Sequence, residues 1–221
     1  MLVAAAVCPH PPLIVPELAG AAAAELDGLR AACAAAVESL LAVPHDELVV
    51  VGGGQTTRAY GGQAAGSLRP WGVEVKAGAG EPVLPLSLTI GRWLLRRDPD
   101  GFQEVAFDAP PRSCLDLGAS LVRGPRVALL VLADGSACLT EKAPGYLDPA
   151  AQPYQEGLVR ALAEADATAL AALDPAEAER LWTGGRAALQ VLAGAADQPL
   201  TGTVLADTAP YGVGYVVATW T

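Results

Sequence analysis

The chain is predicted to be α/β: one central mixed, mostly parallel sheet with helices on both faces. Three observations predict it. Short continuous apolar runs recur at Leu2 to Val7, Glu47 to Val51 and Arg126 to Leu132, each closed by turn residues, as strands buried on both faces read. Between the runs lie stretches whose apolar residues repeat at helical spacing. The order strand, helix, strand gives a right-handed βαβ unit. The 221 residues are expected to form a single domain, 1–221.

Each element follows from local chemistry. The first strand must stop at Cys8-Pro9-His10-Pro11-Pro12, because proline lacks the amide proton and fixes φ. Glu17 to Val43 reads as one helix, with Leu26, Leu29, Cys33, Val37, Leu40 and Leu41 on its apolar stripe. Glu17 reads as an acid at its N-terminus. Pro44-His45-Asp46 ends the helix, and the strand from Glu47 runs straight into Gly52-Gly53-Gly54-Gln55. A short strand is expected at Gly72 to Val75, a loop at Gly78 to Pro85, and a helix at Ser87 to Arg97 with Ser87 as N-cap. Glu104 to Phe107 reads as a strand and Cys114 to Val122 as a short helix.

Arg126 to Leu132 carries the clearest β signal and ends in Ala133-Asp134-Gly135-Ser136-Ala137. Two helices are expected next, Tyr154 to Leu173 and Pro175 to Ala195, the second capped by Asp174 with Pro175 at its first position. The chain closes with a strand at Thr203 to Ala206, a loop Asp207-Thr208-Ala209-Pro210-Tyr211-Gly212, and a last strand at Val213 to Trp220.

Composition excludes several roles. A net charge of −10 argues against nucleic acid and anionic membrane surfaces as partners. No segment has the roughly 18–20 apolar residues of a spanning helix, and the apolar start lacks the basic region of a signal peptide. Cys8, Cys33, Cys114 and Cys138 are widely spaced without a CxxC pair, which points to buried thiols in a cytoplasmic protein.

Ligands of open α/β sheets sit beyond the C-terminal ends of the strands, so the strand-end loops hold the candidates. His10 reads either as an imidazole bonded within a proline-rich turn or as a ligand contact. Expected beside solvent, it should be removable at little cost in stability. Asp134-Gly135-Ser136 reads as a turn capped by its own side chains or as a polar pocket floor. Gly52-Gly53-Gly54 has neither the lysine of a P-loop nor the dinucleotide spacing, so a close-packed turn is the simpler reading. Tyr211, with Gly212 and Gly214, reads mainly as the entry to the last strand.

Taken together, these loops resemble the class III extradiol ring-cleaving dioxygenases, the family of the protocatechuate 4,5-dioxygenase catalytic subunit, whose fold the Memo proteins share. The residues that carry the resemblance are His-Pro-Pro-Leu-Ile-Val-Pro-Glu (His10 to Glu17) and Pro-Tyr-Gly-Val-Gly-Tyr (Pro210 to Tyr215). It implies an Fe(II) held by two histidines and a carboxylate, with a further histidine as acid and base. On this chain, His10 stands at the first ligand position. Gln55 follows the second strand where the second histidine belongs, Thr208 takes the place of the carboxylate, and Ala137 follows Ser136 where the acid/base histidine belongs. Asp134, Asp207 and Cys138 are substitute donors only if the site is rewired.

The resemblance therefore implies a divergent member without ring-cleaving activity and with no assigned catalytic residue. Its old cleft, lined by His10, Gln55, Asp134, Ser136, Thr208 and Tyr211, would bind a small molecule or a protein partner. His10 is the only metal candidate, and no cofactor is expected. The alternative is an active dioxygenase with an unconventional Fe(II) or zinc site; a structural subunit or homo-oligomer is the third possibility.

Overall fold

The computed structural model describes all 221 residues. In chain order they form β1 (Leu2–Cys8), α1 (Pro16–Ala19), α2 (Asp27–Ala42), β2 (Glu47–Gly54), β3 (Arg58–Gly61), β4 (Gly66–Ser67), β5 (Lys76–Ala77), α3 (Leu86–Leu95), β6 (Gly101–Ala106), α4 (Pro111–Leu121) and β7 (Val127–Leu132). After a long loop come α5 (Ala151–Ala163), α6 (Ala167–Ala171), α7 (Pro175–Arg180), α8 (Arg186–Ala195), β8 (Gly202–Thr208) and β9 (Tyr215–Trp220).

Seven strands make one sheet in the order β3-β6-β2-β7-β1-β9-β8, and β4 with β5 makes a separate small ribbon. The four inner strands β6, β2, β7 and β1 are parallel, while β3 and β9 pair antiparallel to their inner neighbours. All six residues of β7 are buried, as a strand covered on both faces requires. One face packs Leu29, Cys33, Leu40, Leu88 and Ile90 of α2 and α3; the other packs α4, α5 and α8 through Cys114, Leu158, Leu162, Leu189 and Leu192. The expected α/β class is the one observed. No helix is long and apolar enough to cross a membrane.

Several expected boundaries move. The Glu17 to Val43 helix is three pieces, because Gly20 takes φ +54° and a 3-10 segment (Gly20–Leu26) precedes α2. Tyr154 to Leu173 is split at Ala165 (φ +50°) into α5 and α6, and Pro175 to Ala195 is split at Trp182 (φ +51°) into α7 and α8. The expected cap holds: Asp174 Oδ1 accepts the Glu177 amide at 2.8 Å, with Pro175 in the first position. Ser87 is not a cap. Pro85 takes that place, and Ser87, inside α3, donates its hydroxyl to the Gly53 carbonyl at 2.6 Å. Gly72 to Val75 is not a strand; the short strand is β5 beyond it. Edge strand β3 was not expected, and Thr208 ends β8 where a loop was expected.

Candidate functional site

The C-terminal ends of β6, β2, β7 and β1 form one rim, and β8 runs parallel to β1 with β9 between them. The Asp134 and His10 loops meet there. The His10 amide donates to Asp134 Oδ1 at 2.8 Å, and His10 Nδ1 lies 3.7 Å from the same oxygen. The loop after β7 is also stitched to the chain entering β9, since Gly135 donates to the Gly214 carbonyl and Gly214 to the Ser136 carbonyl, both at 2.8 Å. Tyr215 stands close by: burial first, then the Asp134 charge, pushes its phenol far above the usual range.

The other expected cleft residues do not join this group. His10 is only 7% exposed rather than beside solvent, and its Nδ1 has no partner. Ser136 is fully buried; its hydroxyl donates to the Leu181 carbonyl at 2.9 Å and accepts the Cys138 amide, so it is occupied as a structural bridge. Tyr211 reaches away to Glu25 at 3.1 Å. Gln55 and Thr208 are exposed. They follow β2 and end β8, four strand spacings of about 4.8 Å apart, so roughly 19 Å separates them along the rim. The six are therefore strung along one edge rather than gathered in one cleft. The cavity beside Asp134 holds about 10 Å³, at most a single water.

These residues do not fit an iron site of two histidines and a carboxylate. His10 has one carboxylate near it, and nowhere do three His, Cys, Asp or Glu side chains gather as metal donors. Cys138 is buried, with its thiol raised first by that burial; Asp207 is exposed on β8. His45 lies before β2, at the opposite rim, with Nδ1 2.7 Å from the Val43 carbonyl.

The roomy site on this rim lies one crevice away, beyond the ends of β6 and β2. A cavity of about 590 Å³ opens there between Phe107, Asp108, Glu179, Trp182, Thr183 and Arg186, within the ordinary range for a small-molecule pocket. Its position follows from the glycines of β2. A Cβ on Gly53 would come within 2.5 Å of Phe107 Cε1 and 3.3 Å of the Gly184 carbonyl, so the bare backbone lets the Phe107 ring and the turn before α8 close over the strand. A Cβ on Gly54 would strike the buried Glu104 carboxylate, which accepts from the Thr56 amide and the Tyr60 hydroxyl. The glycine run is close-packed, as the simpler reading held, though it completes β2 rather than forming a turn.

Arg186 closes the floor. It is 4% exposed, donates to the carbonyls of Phe107 and Ala109 at 2.6 and 2.5 Å and to Gln190 Oε1 at 3.0 Å, and has no carboxylate partner. Phe107 and Trp182 are 43% and 60% exposed, an apolar wall facing open space. Trp182 holds its indole there from a left-handed backbone position, a conformation that costs a bulky residue about 1–3 kcal/mol. None of these three was picked out as a site residue by sequence reasoning. The available signal was Gly184-Gly185, a helix breaker inside the stretch assigned to one continuous helix.

The fold and rim define an α/β protein with a pocket at the strand C-termini. No family model matches the chain, and no curated protein does. The crystal structure of an uncharacterised protein from Escherichia coli K12 aligns over 98% of each chain, with a TM-score of 0.49 and 12% identity.

Proposed function

We propose that this protein is a small-molecule binder, a divergent relative of the extradiol dioxygenases without ring-cleaving activity, whose ligand sits against Phe107 and Trp182 rather than at His10. The observation that carries this reading is the 590 Å³ cavity at the strand-end rim. It has two exposed aromatic side chains on a mostly packed surface, as ligand pockets do. The closed surroundings of His10 support it too, because a substrate needs room beside its catalytic groups.

Two measurements test it. In a metabolite screen followed by thermal melts, ligands that raise the melting temperature of the wild type should lose that effect in Phe107→Ala and Trp182→Ala. Iron-loaded protein given protocatechuate and other catechols under air should take up no oxygen above a buffer control. Oxygen uptake that tracks one iron per chain would instead make the protein an active dioxygenase with an unconventional site, and the reading would fail.

A further inference from the structure

We infer that the pocket between Phe107 and Trp182 takes an organic cation, an ammonium on a small apolar body, held by the two rings and by the carboxylates of Asp108 and Glu179. The inference rests on the small-molecule reading above and names the chemistry of that ligand.

Three observations converge on the open part of the cavity. The first is the pair of rings: Phe107 and Trp182 line about 590 Å³ of space and are 43% and 60% exposed, so the protein covers neither. Aromatic faces carry partial negative charge and attract cations, the indole most strongly. The second is the pair of acids. Asp108 follows Phe107 just past the end of β6, and Glu179 comes from α7, one turn after Ala176 on the same wall. Both are exposed and neither carboxylate is paired, because the cations nearest in sequence are taken elsewhere. Arg180 pairs with Asp148 and Glu177, and Arg112 with Asp116. The third observation is the backbone under the indole. Trp182 sits at φ +51°, a conformational cost that its slight burial does not match.

One cation lines the cavity, and it is already engaged. Arg186 is 4% exposed, with its N–H groups directed to the Phe107 and Ala109 carbonyls and to Gln190 Oε1. Its guanidinium therefore faces the protein. The positive charge beneath disfavours an ammonium at the floor and sets it at the mouth, where Asp108 and Glu179 are exposed. The net charge of −10 adds a long-range pull on cations. Water screens each exposed carboxylate, so selectivity comes from rings and acids acting together on one ligand.

The test follows the indole N–H signal of Trp182, assigned with Trp182→Phe, in nuclear magnetic resonance titrations of the intact chain. The probes are benzylamine, benzyltrimethylammonium, benzyl alcohol and benzoate, which share one ring and differ in charge. At least one of the two cations should move the signal saturably, about tenfold more tightly than the alcohol or the anion. Whichever cation is tighter decides between an ammonium that donates hydrogen bonds to the carboxylates and a fully alkylated one. Asp108→Asn and Glu179→Gln should each weaken the cation severalfold and leave the alcohol unchanged, and added salt should do the same. Both residues are exposed, so neither substitution threatens the fold. A cation preference that survives both substitutions together overturns the assignment to these carboxylates. Equal binding of all four probes, or tighter binding of benzoate, overturns the cation and leaves the pocket standing. If no probe moves the Trp182 signal, the small-molecule reading itself fails.

Discussion

His10 and Asp134 are joined through the backbone: the His10 amide donates to Asp134 Oδ1 at 2.8 Å, while the imidazole Nδ1 stands 3.7 Å from that oxygen without a partner. The carboxylate thereby clamps the end of β7 to the turn after β1. Asp134→Ala should cost about 1–3 kcal/mol, the penalty for leaving a poorly exposed amide unpaired. His10→Ala should also destabilise, by about 1–2 kcal/mol, because the buried ring fills volume. Urea unfolding of both variants checks this; wild-type stability in Asp134→Ala would show that the clamp adds nothing, and in His10→Ala that the ring fills no needed volume.

Gly53 and Phe107 set the shape of the pocket. In Gly53→Ala the new methyl meets the ring edge. Phe107 is 43% exposed and able to swing outward, so the loss of stability should stay near 1 kcal/mol while ligand-induced stabilisation disappears. Gly54→Ala meets the buried, hydrogen-bonded Glu104 instead and should cost more, about 1–3 kcal/mol. Thermal melts with and without a screened ligand separate the two effects. Equal losses would show that the two glycines are held by the same constraint.

Trp182 carries strain without matching burial. Glycine adopts φ +51° freely, and the lost indole is 60% exposed. Trp182→Gly is therefore expected to keep the wild-type stability or gain up to about 1 kcal/mol, after allowing for the greater freedom of glycine in the unfolded chain. Ligand binding should be lost in the same variant. A marked drop in melting temperature would mean that the indole is a packing element.

Stability should fall at both ends of the pH scale. Arg126, bonded to Asp46 at 2.9 and 3.1 Å, holds that carboxyl down at about 2. Asp98 is lowered by Gln63 and Arg92, and Asp148 by the Ala150 amide and Arg180. These contributions are present above the unfolded value of 3.8 and are lost as pH falls toward 2. At the other end, burial and then Glu104 raise the Tyr60 phenol to about 12, and burial raises Tyr154 as far. Their contribution is complete below pH 10 and is lost as pH climbs to 12. Melting temperatures from pH 2 to 12 should show both declines, and the acid one should shrink in Asp46→Asn. An undiminished acid decline in that variant would clear the Asp46–Arg126 pair of any part in it.

The layers were legible in the residue pattern alone. Runs such as Leu2 to Val7 and Val127 to Leu132 are apolar at every position, as a strand covered on both faces reads, and the proline cluster at Pro9 to Pro12 ends its strand by covalent geometry alone. The residue pattern also determined that His10 and Asp134 would share a rim, because each directly follows such a strand. Whether residues on that rim touch was decided by strand order: β7 lies beside β1, whereas β2 and β8 stand four strands apart, so Gln55 and Thr208 never meet. No local pattern encodes that order, which depends on how the crossover helices pack. The pocket was hidden for the same reason. Phe107, Trp182, Thr183 and Arg186 come from a strand end and a turn about 75 residues further on, and their meeting depends on the bare backbone of Gly53 and the left-handed break at Trp182. Helical periodicity ran through that break unaltered, since a single residue at positive φ changes the direction of a chain without changing its composition.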